Sequence, residues 1–196
     1  MTSGDFLELR LREFLDAVAS EDPTPAGGSA AALSVTISAA LSAMVARASG
    51  DWDQAGAVVA QAERLRKRTA PLAQRDAEAY GEALVAMRSP DRAEPALRDA
   101  AVGAAMERAA ELPLLIVEAG ADAASLAELV ADRGAQDRRG DAIAAALLAE
   151  AGARAAATLV AVNLTMKPDD DRVTQARELA RVASEAAARA VRSIES

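Results

Sequence analysis

Asp76 is the carboxylate in this chain whose surroundings point most directly to chemistry. On a helical wheel Leu72, Ala73, Asp76, Ala79, Tyr80, Ala83, Leu84 and Met87 fall on one side, so Asp76 sits within an apolar face. A carboxyl in that position must be paired, hydrogen-bonded, or kept protonated by a raised pKa, and raised pKa values are what general acids use. The competing reading is a structural hydrogen bond to a neighbouring helix end. Glu78 falls away from this face and is expected in solvent. Asp141 and Asn163 are 22 positions apart, close to six helical turns, so they share a face at opposite ends of one helix. They cannot touch, yet they can line different ends of one groove, above all a groove completed by another subunit. Asp141 as a plain helix cap is an equal alternative to Asp141 as a catalyst. Lys167, one turn past Asn163, can receive a ligand carboxylate or simply face the negative end of its helix. Tyr80 and Trp52 are the large rings available to stack on a ligand, with Phe6 and Phe14 expected in the core.

A second feature is the stretch Asp22-Pro23-Thr24-Pro25-Ala26-Gly27-Gly28-Ser29-Ala30-Ala31-Ala32. Two prolines fix the backbone, two glycines allow close approach or positive φ, and Ser29 can cap the helix that follows. A helix N-terminus with bare N–H groups results, suited to an anion or to the carbonyl edge of a ligand. The structural alternative is a tight turn packed on a neighbouring helix.

The elements that must position these groups are all helical. Phe6, Leu7, Leu11, Phe14, Leu15 and Val18 predict a first amphipathic helix stopping before Pro23. A second runs from about Ser29 to Arg47, with Ser34, Ser38 and Ser42 forming a smooth ridge for close helix contact. Trp52 to Arg88 reads as one long helix or two, because Pro71 should kink or restart the backbone, and Ser89-Pro90 ends it. A region from about Arg92 to Asp132 contains Pro113 and stops at Gly134. After the polar loop 134–140, Asp141 is placed to cap a helix to about Thr165. Pro168 and three aspartates then open a last charged helix. No segment alternates as a strand, and no linker or repeat divides the chain, so one domain, an all-α bundle of long antiparallel helices, is expected.

Composition narrows the function. More than a quarter of the 196 residues are alanine and 2% are aromatic, so the core is built from small side chains that let helix backbones approach closely. Dispersion per residue is low in such a core, and burial against a second copy is the natural supplement, hence an expected homodimer. A net charge of −8 and the absence of a basic stripe argue against nucleic acid. With no cysteine and no histidine, thiolate, Ser-His-Asp and Cys-His mechanisms are excluded. A zinc or copper centre would need carboxylates alone. Met1 leads into Asp5, Glu8 and Arg10 without an apolar run, so a cytoplasmic location is expected. The uncharged run from Ala26 to Ala46 is rich in Ala, Ser and Thr, which favours a buried bundle helix over a membrane span.

The chain resembles the cyclodeaminase and methenyltetrahydrofolate cyclohydrolase family, which includes the C-terminal domain of formiminotransferase-cyclodeaminase. Phe14-Leu15-Asp16-Ala17-Val18-Ala19-Ser20 leads into Pro23-Thr24-Pro25-Ala26-Gly27-Gly28-Ser29 and on to Ala43-Met44-Val45-Ala46 in the order that family shows. Asp76-Ala77-Glu78-Ala79-Tyr80, Glu111-Leu112-Pro113-Leu114, Asp141 and Val162-Asn163-Leu164 extend the likeness over nearly the whole chain. The family usually has glycine where Ala26, Ser34 and Ser38 stand, and Gly-Asn-x-x-x-x-Ser-Asp where this chain reads Gly134-Ala135-Gln136-Asp137-Arg138-Arg139-Gly140-Asp141.

The resemblance implies a reduced folate in a groove between helices and chemistry at a C–N bond of a tetrahydrofolate derivative, without a metal or redox cofactor. Asp76 and Asp141 become the candidates for stabilising charge and moving a proton, Asn163 for orienting the ligand, and Gly27-Gly28-Ser29 for a wall. Tyr80 and Lys167 complete the set. A glutamate tail would suit Arg64-Leu65-Arg66-Lys67-Arg68 or Arg138-Arg139, although such runs are usually solvated faces. A chain without a transferase domain favours cyclohydrolase. The altered loop 134–141 favours the alternative, a catalytically silent helical folate-binding or scaffolding subunit.

Overall fold

A computed structural model describes residues 5–88 and 95–193, and these form eight α-helices, one 3-10 turn and no strand. The helices are α1 (Leu11–Val18), α2 (Gly27–Ala48), α3 (Ala55–Thr69), α4 (Leu72–Arg88), α5 (Pro95–Ala109), α6 (Glu111–Arg133), α7 (Arg139–Asn163) and α8 (Asp171–Arg192). The expected end at Ser89-Pro90 and start at Arg92 lie outside the described residues.

Both internal prolines fall at helix breaks. Pro71 separates α3 from α4, and the chain restarts at Ala110 so that Pro113 occupies the third residue of α6, where a missing N–H leaves no bond unmade. Asp170 caps α8, its carboxylate accepting from Arg172 N at 3.0 Å and gripped by the Arg172 guanidinium, which holds its pKa down at about 2.

The centre of the bundle is α7, packed against α2, α6 and α8, with α6 also on α8 and α3 on α2. Small residues make this possible. A Cβ on Gly152 would lie 2.7 Å from Val35 Cγ2 and 2.9 Å from Ala31 O, and one on Gly120 would lie 2.8 Å from Ala153 Cβ. Gly27 lies beside Leu159, Gly152 beside Ala31, and the Arg138 guanidinium reaches Met44 Sδ, so α2 and α7 run antiparallel. Ser38 and Ser42 are fully buried, in keeping with the close-contact ridge. The most deeply buried large side chains are aliphatic: Ile116, Leu164, Val35, Val45 and Val117. A small separate cluster, Ala83, Ala105 and Ala109, joins α4 to α5.

Three local expectations need correction. The first helix covers only Leu11–Val18; Phe6 and Phe14 are buried in edge-to-face contact, whereas Leu7, Leu11, Leu15 and Val18 face outward. The two rings, with the half-buried Leu9, make this segment's contact with the bundle, so periodicity overestimated both the helix and its buried face. Ser29 is not a cap: α2 begins at Gly27 with Ala26 at the cap position, and neither glycine has positive φ. Asp141 is not a cap either, because the 3-10 turn Gln136–Arg138 winds directly into α7 and leaves Asp141 within its first turn.

Candidate functional site

The first turn of α2 ends at a cleft. The helix starts after Pro23-Thr24-Pro25, in which the Thr24–Pro25 peptide bond is cis, and its backbone ladder opens with Ala30 N donating to Ala26 O at 3.1 Å. The N–H groups of Gly27, Gly28 and Ser29 therefore have no intrahelical acceptor, and alanine at the cap position supplies none. This is the positive end of a 22-residue helix.

Asp76 lies directly against it. A Cβ on Gly28 would be 2.0 Å from Asp76 Oδ2, so glycine is required for the carboxyl to approach the α2 backbone. Asp76 is only 9% exposed and has no hydrogen-bond partner among the described residues; burial pushes its pKa up to about 6. Ser29 fixes the spacing: fully buried, its hydroxyl donates to Ala73 O at 2.6 Å and ties the start of α2 to α4 one turn before Asp76.

The cleft has a volume of about 290 Å³ and is lined by Pro23, Thr24, Ala26, Gly27, Gly28, Asp76, Tyr80, Met106, Pro113, Leu159, Val162 and Asn163. It draws on the turn before α2 and on α4, α5, α6 and α7. Asn163 is half-buried, and its Nδ2 donates to Ala109 O at 3.0 Å. Because only the amide nitrogen can donate to a carbonyl, the orientation is fixed and Oδ1 remains free to accept.

Gly27, Gly28, Asp76, Tyr80 and Asn163 thus converge from three distant segments. Ser29 lies behind the wall, as a strut. Asp141 is exposed at the far end of α7, about 33 Å from Asn163 along the helix. Lys167 forms an ion pair with Glu107 at 2.7 Å and does not line the cleft. Trp52 packs near the start of α3, away from the cleft, leaving Tyr80 as its one large ring. In the basic clusters, Arg66 pairs with Glu63, Arg68 with Asp122, and Arg139 donates to Ser193 O. The altered loop packs where Ala135 N donates to Ser49 Oγ at 2.8 Å, at the end of α7 remote from the cleft. No group of three metal-binding side chains comes together among the described residues.

Sequence reasoning missed Met106, Pro113, Thr24 and Val162. Val162 stood next to Asn163 and was accessible to inspection. Met106 carries no local sign, since it reaches the cleft only through the way α5 folds back on α4 and α6.

The profile of the formiminotransferase-cyclodeaminase family matches residues 10–182. A methenyltetrahydrofolate cyclohydrolase from Methylorubrum extorquens is 35% identical over 174 residues, which is 83% of this chain and 81% of that relative. The crystal structure of formiminotetrahydrofolate cyclodeaminase from Thermotoga maritima superposes with a TM-score of 0.85 at 24% identity, covering 96% of this chain and 97% of the other. With the same all-α bundle and a family match over most of its length, this chain belongs to the formiminotransferase-cyclodeaminase family.

Proposed function

We propose that the chain is a cytoplasmic enzyme of folate one-carbon metabolism that opens a C–N bond of a tetrahydrofolate derivative, with hydrolysis of methenyltetrahydrofolate as its reaction. The observation that carries this reading is the unpartnered, buried Asp76 carboxyl beside the bare N-terminus of α2, inside a cleft that also offers an aromatic ring and an oriented amide. Family membership and the cyclohydrolase relative support the substrate class.

The chemistry follows from those groups. Water attacks the cationic methenyl carbon between the two folate nitrogens, forming a C–O bond, while Asp76 accepts a proton from that water. One C–N bond then breaks as the proton held by Asp76 passes to the departing nitrogen, the remaining O–H proton is released to solvent, and the carbon becomes a formyl group on the other nitrogen. The N–H groups of Gly27 and Gly28 receive the oxygen as its charge develops, in a fixed geometry that needs no rearrangement at the moment of reaction. Asn163 Oδ1 accepts from an N–H of the pterin, and Tyr80 covers a ring face.

A second copy completes the assembly in this reading. The outer face of α2 presents Ile37, 51% exposed, between the partly buried Leu33 and Leu41, an apolar row that suits a homodimer. The roles of Asp141 and Lys167 then depend on what the second copy brings to the cleft.

The test is the loss of methenyltetrahydrofolate absorbance against the uncatalysed rate, run beside ammonia release from formiminotetrahydrofolate. Acceleration of the first supports hydrolysis, acceleration of the second alone reassigns the enzyme to deamination, and neither, from folded protein, leaves a silent binding subunit.

A further inference from the structure

A second depression draws on the same end of α7 as the cleft. It lies between α7 and α8 with a volume of about 620 Å³, and its floor is almost entirely alanine: Ala151, Ala155, Ala157, Ala161 and Ala180. Two arginines border it, Arg154 from α7 and Arg177 from α8. Arg177 has no ion-pair partner among the described residues. Arg154 reaches only Glu150, at a loose 3.5 Å. In a chain of net charge −8, two guanidinium groups with little ion pairing thus border an apolar floor.

Its position gives it meaning. Thr158 and Ala161 line the depression while Leu159 and Val162, their neighbours in sequence, line the cleft, so the two spaces border the same turn of α7. Arg154 lies about 12 Å back along the helix from Val162, at 1.5 Å per residue.

We propose that this groove is the subsite for the p-aminobenzoyl-glutamate end of the folate, the alanine floor receiving the benzoyl ring and Arg154 and Arg177 receiving glutamate carboxylates. The proposal rests on the folate reading of the cleft. Charge and shape single out this occupant: a flat ring needs a floor without protruding side chains, and carboxylates suit the forked donors of arginine. The two basic runs conspicuous in the sequence are less suited, since Arg66 and Arg68 are already paired and Arg138 and Arg139 stand at the opposite end of α7.

The experiment is calorimetric titration of the full chain with p-aminobenzoyl-triglutamate, which contains no reacting carbon and so reports on the groove whatever the enzyme's turnover. Wild type is expected to bind saturably and more weakly as salt rises, and the double variant Arg154→Gln, Arg177→Gln to bind at least tenfold more weakly with unchanged heat stability. In turnover, the same variant is expected to raise KM for a triglutamyl substrate about tenfold and leave kcat in place. Equal binding by wild type and double variant overturns the subsite, as does a double variant altered only in its oligomeric state, which would make the groove a contact between copies. Absence of turnover with intact, arginine-dependent binding would instead strike at the proposed reaction and leave the subsite standing.

Discussion

Asp76 is held in a condition the isolated amino acid would not choose. An unfolded chain ionises this carboxyl near 3.8, whereas the folded protein keeps it neutral up to about 6 because burial penalises the charge. The stability associated with the neutral form is therefore complete below pH 4 and is lost as pH rises through 6, a difference of about 3 kcal/mol at neutral pH. Asp76→Asn, which keeps the shape without the charge, is expected to melt several degrees higher than wild type at pH 7.5 and at the same temperature near pH 4, as thermal denaturation will show. The same variant should lose a hundredfold or more in kcat for methenyltetrahydrofolate; unchanged turnover would remove Asp76 from the chemistry. In the wild type, kcat/KM should rise with an apparent pKa near 6, that of the free enzyme. The corresponding limb of kcat should lie lower, because the cationic substrate favours the carboxylate once bound. Rate profiles in pH jump buffers at constant ionic strength check both limbs. Glycine at position 28 belongs to the same description: any side chain there would occupy the place of the Asp76 oxygens.

At the scale of elements, close backbone approach governs the fold, and glycine marks where it is tightest. Gly152→Ala would set a methyl group 2.9 Å from the Ala31 carbonyl oxygen and 2.7 Å from Val35 Cγ2, and backbone cannot yield as a flexible side chain can. A loss of about 1–3 kcal/mol is expected, read as a lower denaturant midpoint with little change in slope. This scale also explains what could be read in advance. The proline at 71 and the glycine at 134 act through their own backbone, so the break between α3 and α4 and the end of α6 were legible, whereas the region from Arg92 to Asp132, read as one with Pro113 inside it, divides into α5 and α6. The apolar setting of Asp76 was legible too, since a helical wheel needs only one helix. Ser29 misled because its hydroxyl satisfies a carbonyl on α4, 44 residues away, instead of a local N–H. Asp141 misled because a 3-10 turn feeds α7 without a break. Met106 was beyond reach, as only the packing of α5 decides that it faces the cleft.

Over the whole molecule, two stretches, Gly27–Ala48 and Gln136–Asn163, are apolar enough and long enough to cross a membrane, yet 56% and 50% of their most apolar windows are buried among other helices. What remains uncovered includes Ile37 on α2, between the half-buried Leu33 and Leu41. Ile37→Glu places a charge at a half-exposed position, so folding stability should change by no more than about 0.5 kcal/mol. Sedimentation should nevertheless show wild type at twice the 20.1 kDa chain mass and the variant at the chain mass; wild type at the single-chain mass would remove the dimer.

The grip on the end of α5 extends this point. Asn163 donates to Ala109 O, Arg172 donates to Glu107 O, and Lys167 pairs with the Glu107 carboxylate, so donors 54 to 65 residues downstream satisfy the last turn of α5. That helix ends not with a stop signal of its own but with one lent by a distant part of the polypeptide. During synthesis it must wait for the α7–α8 corner to emerge before its final carbonyls find these partners. The wall of the cleft that carries Met106 is thus secured in part by the C-terminal third, and a catalytically complete pocket is in effect a certificate that this third has arrived.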